Sequence, residues 1–520
     1  MKCKIFLIDF KEGVEFKIFT NYKLDMFNAI AIESEREFGS SVFNELEKEL
    51  KNRAEKFKRA GVDRIEDYRK KTNAIMPRLL LVIDECQILF SKENDLISQN
   101  ATKQLEIIIK QGRSYGLHVI LATQSWAGIS SISNDVKTQI GVRIALKCPK
   151  EDAQYILGHE NDGINLIIQG DPGQAVYNNN SGNSKNNIPI RVSYLEQHEQ
   201  DELLKEISER ASKILLKQNP KKADTRILLS NVEENINSLY QKFCRDGINE
   251  FTDKSLVIGE SLQLYGNLKM NFTASEESNL LIIGEDKQKA RAMFTFSILS
   301  LILGFMNKNK AKPSKPLIDV IDYVPPEDDL EERYDTLSLL SNSLTELLTY
   351  TKIVPFTDSK KQIFDALKNI YDNVESNENR YLFVFGLQRA NELRSSSKSV
   401  STNTNRGLVI TTEAIASSYE MFVDIVSRGA LNGVHTIIWE DFFTNFTRYY
   451  ADLQDFFRLR IGFTMPDKES GEFMDEPYGS KLGENNAIFN CYGNQKFRPY
   501  KTPDLEWLGK ICQRIKEANS

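Results

Sequence analysis

Leu79-Leu80-Leu81-Val82-Ile83-Asp84-Glu85-Cys86-Gln87 decides the reading of this chain. An unbroken apolar run this short, with no alternating polar face, predicts a buried strand of a parallel sheet. Burial of that strand would fix its two terminal acids at the C-terminal sheet edge, where ligands sit in open parallel sheets. A first acid there can hold a magnesium ion through water and neutralise phosphate charge, and a second can polarise an attacking water. Asp84 takes the first role in this reading and Glu85 the second. The pattern is that of a Walker B strand.

Working outward, Lys4–Asp9 (KIFLID) is a second apolar run ending in an acid. Ser40 or Ser41 opens a helix with apolar positions Val42, Phe43, Leu46, Leu50, Ala54 and Phe57, and Gly61 stops it. Another helix is expected from about Ile97 to Gly112. His118–Thr123 (HVILAT) and Gly141–Leu146 (GVRIAL) read as further strands of the same sheet, with Gln174–Tyr177 a fifth. Asn178–Asn187 is a polar surface loop before an edge strand at Ile188–Val192. Strands alternating with helices of this length indicate an α/β domain with a mostly parallel sheet.

HVILATQ places Thr123 and Gln124 at a neighbouring strand tip. Such a tip can hydrogen-bond a γ-phosphate or a lytic water, and the plainer reading has Gln124 capping a turn. Arg113 and Arg143 could reach phosphate across a subunit interface, since a fixed guanidinium stabilises developing charge. Each reads equally as a structural residue. No G-x-x-x-x-G-K-[ST] phosphate loop occurs anywhere in the 520 residues. In the first half KIFLID would follow that loop, so the loop is expected before residue 1, with Met1 the start of a fragment, a split gene product or a late start site.

The second half repeats the pattern. Gly116–Leu121 (GLHVIL) faces Gly433–Ile438 (GVHTII) at an offset of 317, and the same offset sets Arg143 on Arg460, Ile144 on Ile461 and Pro149 on Pro466. Further strands are expected at Leu280–Ile283, Leu317–Ile321, Tyr381–Phe385, Leu408–Thr411 and Thr436–Trp439, with a helix at Lys287–Phe305. At the second phosphate-loop position Gly284 is followed by Glu285 and Asp286, whose charge repels phosphate. Lys289, Ala290 and Arg291 stand where the glycine, lysine and hydroxyl residue belong. Phe385 and Gly386 replace the two acids. This half is expected not to hydrolyse ATP. The acidic stretch Glu327–Glu332 is a solvated loop face, and the aromatic-rich Trp439–Tyr450 is core.

A formal net charge of -6 argues against a protein that coats nucleic acid by bulk charge, though it leaves a local basic channel open. The six cysteines form no C-x-x-C pair, so a reducing compartment is the plain reading. The most apolar helical stretch, Met293–Phe305, is too short for a membrane span.

LIDFKEGVEFK (Leu7–Lys17), ESEREFG (Glu33–Gly39), LLLVIDECQ, GRSYGLHVILATQ (Gly112–Gln124) and IGVRIALK (Ile140–Lys147) together resemble the FtsK/SpoIIIE superfamily of P-loop ATPases. LFVFGLQRANELR (Leu382–Arg394) and GVHTIIW (Gly433–Trp439) resemble the inactive trailing domains of its multi-domain members, including the type VII secretion ATPases. The resemblance implies tandem RecA-like α/β domains, the first N-terminally truncated and the second degenerate. Residues 1–200 would be the first, 201–250 a helical bridge and 251–520 the second. It implies a ring-forming, cytoplasmic motor that uses ATP and Mg2+ to move double-stranded DNA or a secreted protein, built as a homo-oligomer or with an upstream ATPase segment. Asp84 and Glu85 would be the Walker B acids, Gln124 the sensor and Asp9 a strand-end acid near the phosphate loop. Without that loop the chain alone is incomplete, and a scaffold or regulatory subunit of such a motor is the competing reading.

Overall fold

The computed structural model describes residues 3–511 and 513, apart from 91–95, 168–171, 219–225, 230–250, 309–315, 325–349, 355–359, 395–416 and isolated stretches of one to three residues. The chain forms two compact units, residues 1–233 with 262–265, and residues 234–261 with 266–520. The strand expected at Leu408–Thr411, the acidic stretch Glu327–Glu332 and most of the expected bridge lie outside the described residues.

The first unit holds β1 (Cys3–Asp9), β2 (Phe27–Ile32), β3 (Arg78–Asp84), β4 (Leu117–Leu121), β5 (Arg143–Leu146), β6 (Gln174–Asn178), β7 (Asn187–Arg191) and β8 (Arg226–Leu229). They form two sheets. The larger is parallel throughout, in the order β4-β3-β1-β2-β8. The smaller is antiparallel, β5-β6-β7, so β5 does not join the parallel sheet as the sequence suggested. β8 comes from the segment expected to bridge the domains.

Helices α1 (Arg36–Ala60) and α2 (Leu96–Tyr115) cover one face of the parallel sheet. Phe38, Val42, Phe43, Leu46 and Leu50 of α1 recur at helical spacing and pack against Phe6, Ile8, Leu79, Leu81 and Ile83. α1 begins at Arg36, ahead of the expected serines, and Gly61 (φ 63°) closes it through its N–H to the Lys58 and Phe57 carbonyls. The opposite face of β3 and β4 is only partly covered: Leu80 and Val82 are half-buried, and His118 and Ile120 are exposed. β3 is therefore not buried on both sides, as its composition predicted. A third helix, α3 (Gln197–Gln218), contributes Leu204 beside Leu7, Phe27, Ile30 and Ile32.

The second unit is a ten-stranded mixed sheet. Its strands are β9 (Ser255–Ser261), β10 (Asn267–Asn271), β11 (Leu280–Ile283), β12 (Ile318–Asp322), β13 (Thr351–Val354), β14 (Arg380–Phe385), β15 (Val434–Glu440), β16 (Leu459–Gly462), β17 (Ala487–Asn490) and β18 (Asn494–Pro499). The parallel centre runs β13-β12-β14-β15-β11-β16, and β17, β18, β9 and β10 extend it antiparallel. Helix α4 (Lys287–Lys308) packs on the face carrying Leu280, Ile282, Phe383, Phe385, Ile437 and Trp439. By length and composition α4 could cross a membrane, but it is a core helix here, with Ala290 to Gly304 buried. Helices α5 (Lys360–Tyr371) and α6 (Ser418–Arg428) cover the other face; Ser417 and Glu420 close α6 with a reciprocal capping box.

The internal repeat extends to hydrogen bonds. Arg143 Nε donates to the carbonyl three residues before it and Nη1 to the one thirteen after it, Ile140 and Ile156. Arg460 does the same to Phe457 and Phe473. Arg143 pairs with Asn178 across the ladder, and Arg460 with Asn490. Asp9 accepts from the Lys11 N–H at 2.8 Å, and Asp322 from the Val324 N–H at 2.9 Å. Strand order β1-β3-β4 in one unit matches β12-β14-β15 in the other.

Candidate nucleotide site

β1 and β3 run parallel and in register, so Asp9 and Asp84 end side by side at the C-terminal sheet edge. The Asp84 carboxylate accepts the Glu85 N–H at 2.9 Å. Glu85 then turns the chain with φ 50°, a left-handed conformation that costs about 1 kcal/mol or more for a residue with a Cβ. In the second unit that turn is made by Gly386 (φ 85°). That side chain is buried, with one oxygen on the Gln87 amide and the other 3.7 Å from Lys11 Nζ. The Gln87 amide oxygen in turn lies 2.6 Å from the Thr123 hydroxyl, whose single proton it shares with the Ser125 carbonyl at 2.8 Å. Burial, with Asp84 beside it, pushes the Cys86 thiol up to about 12, so it stays neutral at this edge.

Asp9, Asp84, Glu85 and Thr123 are thus gathered at one edge, with Gln124 exposed one residue beyond. Arg113 is not among them: it lies in the last turn of α2, ahead of β4, at the opposite end of the strands. Arg143 stands on the small antiparallel sheet, its guanidinium on the Lys137, Ile140, Ile156 and Leu157 carbonyls. That makes it a structural clamp. Lys11 and Gln87, which position Glu85, were not singled out from the sequence. Their contact with it depends on the fold, although the acid–x–Gln spacing of Glu85 and Gln87 was visible.

The donor set fits a magnesium–nucleotide in part. Mg2+ commonly takes one or two carboxylates, with waters and phosphate oxygens completing its shell, and Asp84 can supply one. Among the described residues no group of three or more His, Cys, Asp or Glu side chains is clustered for a metal. The backbone cradle for those phosphates is not among the first unit's described elements.

In the second unit the corresponding position is filled by protein. Only Gly284, Glu285 and Asp286 separate β11 from α4. The Asp286 carboxylate accepts the Lys289 N–H at 2.8 Å and lies 3.1 Å from Lys289 Nζ. An internal anion therefore sits at the helix N-terminus where a phosphate would bind. The Trp439 indole N–H donates to the Gly284 carbonyl at 2.9 Å, and Phe385 stacks on Trp439 with centroids 4.5 Å apart. The Arg291 guanidinium lies 5.6 Å from the Phe385 ring centre. Glu440 occupies the place of Thr123, and burial, then Asp441, pushes its carboxyl up to about 9. A buried acid with a raised folded pKa keeps its proton while the unfolded chain loses its own. The second unit should therefore lose stability as pH rises from about 4.5 to about 9, and Glu440→Gln should flatten that slope in chemical denaturation.

Residues 2–159 match the family model described as the FtsK/SpoIIIE family. That match covers under a third of the chain and marks an FtsK/SpoIIIE-type domain there, and the whole chain has a tandem RecA-like α/β fold. ESX secretion system protein YukB of Bacillus subtilis (strain 168) is 32% identical over 170 residues, covering 32% of this chain and 11% of that protein. ESX secretion system protein EccC of Geobacillus thermodenitrificans (strain NG80-2) is 30% identical over 179 residues, 33% of this chain and 12% of that one. The match thus spans about a ninth of these relatives. Among solved structures, Thermomonospora curvata EccC (ATPases 2 and 3), in complex with a signal sequence peptide, superposes with a TM-score of 0.54 at 12% identity, over 97% of this chain and 83% of that one.

Proposed function

We propose that this chain is part of an ATP-driven ring motor that moves polypeptide in a type VII-like secretion machine, on the cytoplasmic side of a membrane complex. The observation that carries the nucleotide reading is Glu85, buried, left-handed and braced by Gln87 and Lys11 beside Asp84. In this proposal Asp84 holds Mg2+ through water, Glu85 polarises the attacking water, and Thr123 with Gln124 contacts the γ-phosphate. The second unit serves as a trailing ring segment without a hydrolytic site, its phosphate position taken by Asp286 and its acid positions by Phe385 and Gly386. Polypeptide is favoured over double-stranded DNA as cargo because the sequence relatives are ESX secretion proteins.

Equilibrium binding of labelled ATP with magnesium to residues 1–520 tests the site. Binding that weakens about tenfold or more in Asp84→Ala supports it. No binding up to about millimolar ATP, a free energy of only about -4 kcal/mol, favours a scaffold or regulatory role for the chain by itself. That second reading rests on the lack of a G-x-x-x-x-G-K-[ST] motif in the sequence.

A further inference from the structure

The hairpin β6–β7 and its repeat counterpart β17–β18 differ in their turns. In the first unit residues 179–186 join Asn178 to its ladder partner Asn187, and their backbone lies against the arginine clamp. A Cβ on Gly182 would stand 1.9 Å from the Leu157 carbonyl oxygen and 2.8 Å from Arg143 Nη1. In the second unit only Cys491, Tyr492 and Gly493 join Asn490 to Asn494. Beside Arg460, in the place of the longer turn, lies a cavity of about 570 Å³. Sites for small molecules span roughly 300–1,000 Å³. The cavity sits at the N-terminal end of β16, the sheet edge opposite the Gly284 turn.

The clamp changes with the turn. Arg143 sets its guanidinium on four carbonyls, those of Lys137, Ile140, Ile156 and Leu157. Arg460 has two, Phe457 and Phe473. The Met474 carbonyl, counterpart of Leu157, is taken by the Asn490 and Asn494 side-chain amides at 3.1 and 2.8 Å. Arg460 Nη2 thus has no acceptor among the described residues, in a side chain that lines the cavity. Arg458, Glu472, Asp475 and Glu476 line it too, and all four are exposed. Among the described residues no ion pair joins the two arginines to the three acids. Arg458 instead lies 4.1 Å from the centre of the Tyr492 ring, itself 85% exposed at the rim. Unpaired charge of both signs around one cavity is complementary to a solute that carries both. Two cations and three acids give the lining a formal charge of -1, which matches a solute with one cation more than it has anions.

We propose that this cavity binds a free basic amino acid, arginine or lysine, with its α-carboxylate on Arg458 and Arg460 and its cations on Glu472, Asp475 and Glu476. A guanidinium fork orients the carboxylate, and the Tyr492 ring offers a face to the ligand's cation. The site uses no residue of the nucleotide reading and stands or falls without it.

Isothermal titration of the full chain with L-arginine and L-lysine tests the site. Both are expected to bind. L-glutamate should bind at least about tenfold more weakly, and so should agmatine, which is arginine without its carboxylate. Arg458→Ala should weaken L-arginine about tenfold and leave agmatine unchanged, because the two changes remove the same contact. Glu476→Gln should weaken L-arginine and agmatine alike. Arg458 and Glu476 are exposed and make no ion pair, so both variants should melt with the parent chain. The site is overturned if neither amino acid binds up to about 10 mM. Agmatine binding as tightly as L-arginine overturns it as well, as does unchanged L-arginine binding in both variants.

Discussion

Arg53→Ala is expected to destabilise the first unit by about 3 kcal/mol, read as a lower midpoint in chemical denaturation. Arg53 is almost fully buried inside α1. Its Nη1 donates to the Tyr115 carbonyl at 2.7 Å and its Nη2 to the Pro77 carbonyl at 2.8 Å, with Nε on Glu49. One side chain thus ties α1 to the end of α2 and to the chain entering β3. Truncation strands two carbonyls away from solvent, and the bonds to a charged donor are the stronger kind. Arg53→Lys should recover little, because an ammonium cannot span that fork. A loss below about 1 kcal/mol in Arg53→Ala would mean that water replaces the guanidinium at both carbonyls.

Gly304→Ala should be at least as damaging to the second unit, by about 3 kcal/mol or more. A Cβ there would sit 2.0 Å from the Thr252 carbonyl oxygen and 2.6 Å from the Asp253 nitrogen. Both are backbone atoms, so no side chain can swing aside, and α4 would have to leave the sheet it covers. Gly471→Ala is the control. Its Cβ would meet only Pro477, at 3.9 Å, and alanine favours the helix Asp467–Met474 by roughly 1 kcal/mol. Thermal melting of both variants checks the contrast. Equal melting would mean that α4 does not approach Thr252 this closely in solution.

The parallel strands with the strongest apolar runs were legible in the sequence, and so was the repeat, because GLHVIL and GVHTII keep the same residues at the same spacing. β2 was not: FNAIAI carries an asparagine and two alanines, weak strand formers, and is held by burial between β1 and β8. β5 was legible as a strand but not in its sheet. Its composition suits a parallel interior, but its partner is β6, antiparallel, as β17 is for β16 in the second unit. At the site, Asp84 and Glu85 could be placed because a buried strand fixes its own tip. Lys11 lies 74 positions from Glu85 and reaches it only through the β1–β3 register, which no local pattern encodes. Arg113 and Arg143 show the converse. Both residue types suit phosphate, and the fold puts one at the far edge and the other on carbonyls.

The paired clamps of Arg143 and Arg460 carry a historical implication. The two units share the same guanidinium-to-carbonyl stitching, while Phe385 and Gly386 of one stand where the other has Asp84 and Glu85. Divergence has therefore run at two speeds, slow in the framework and fast in the chemistry.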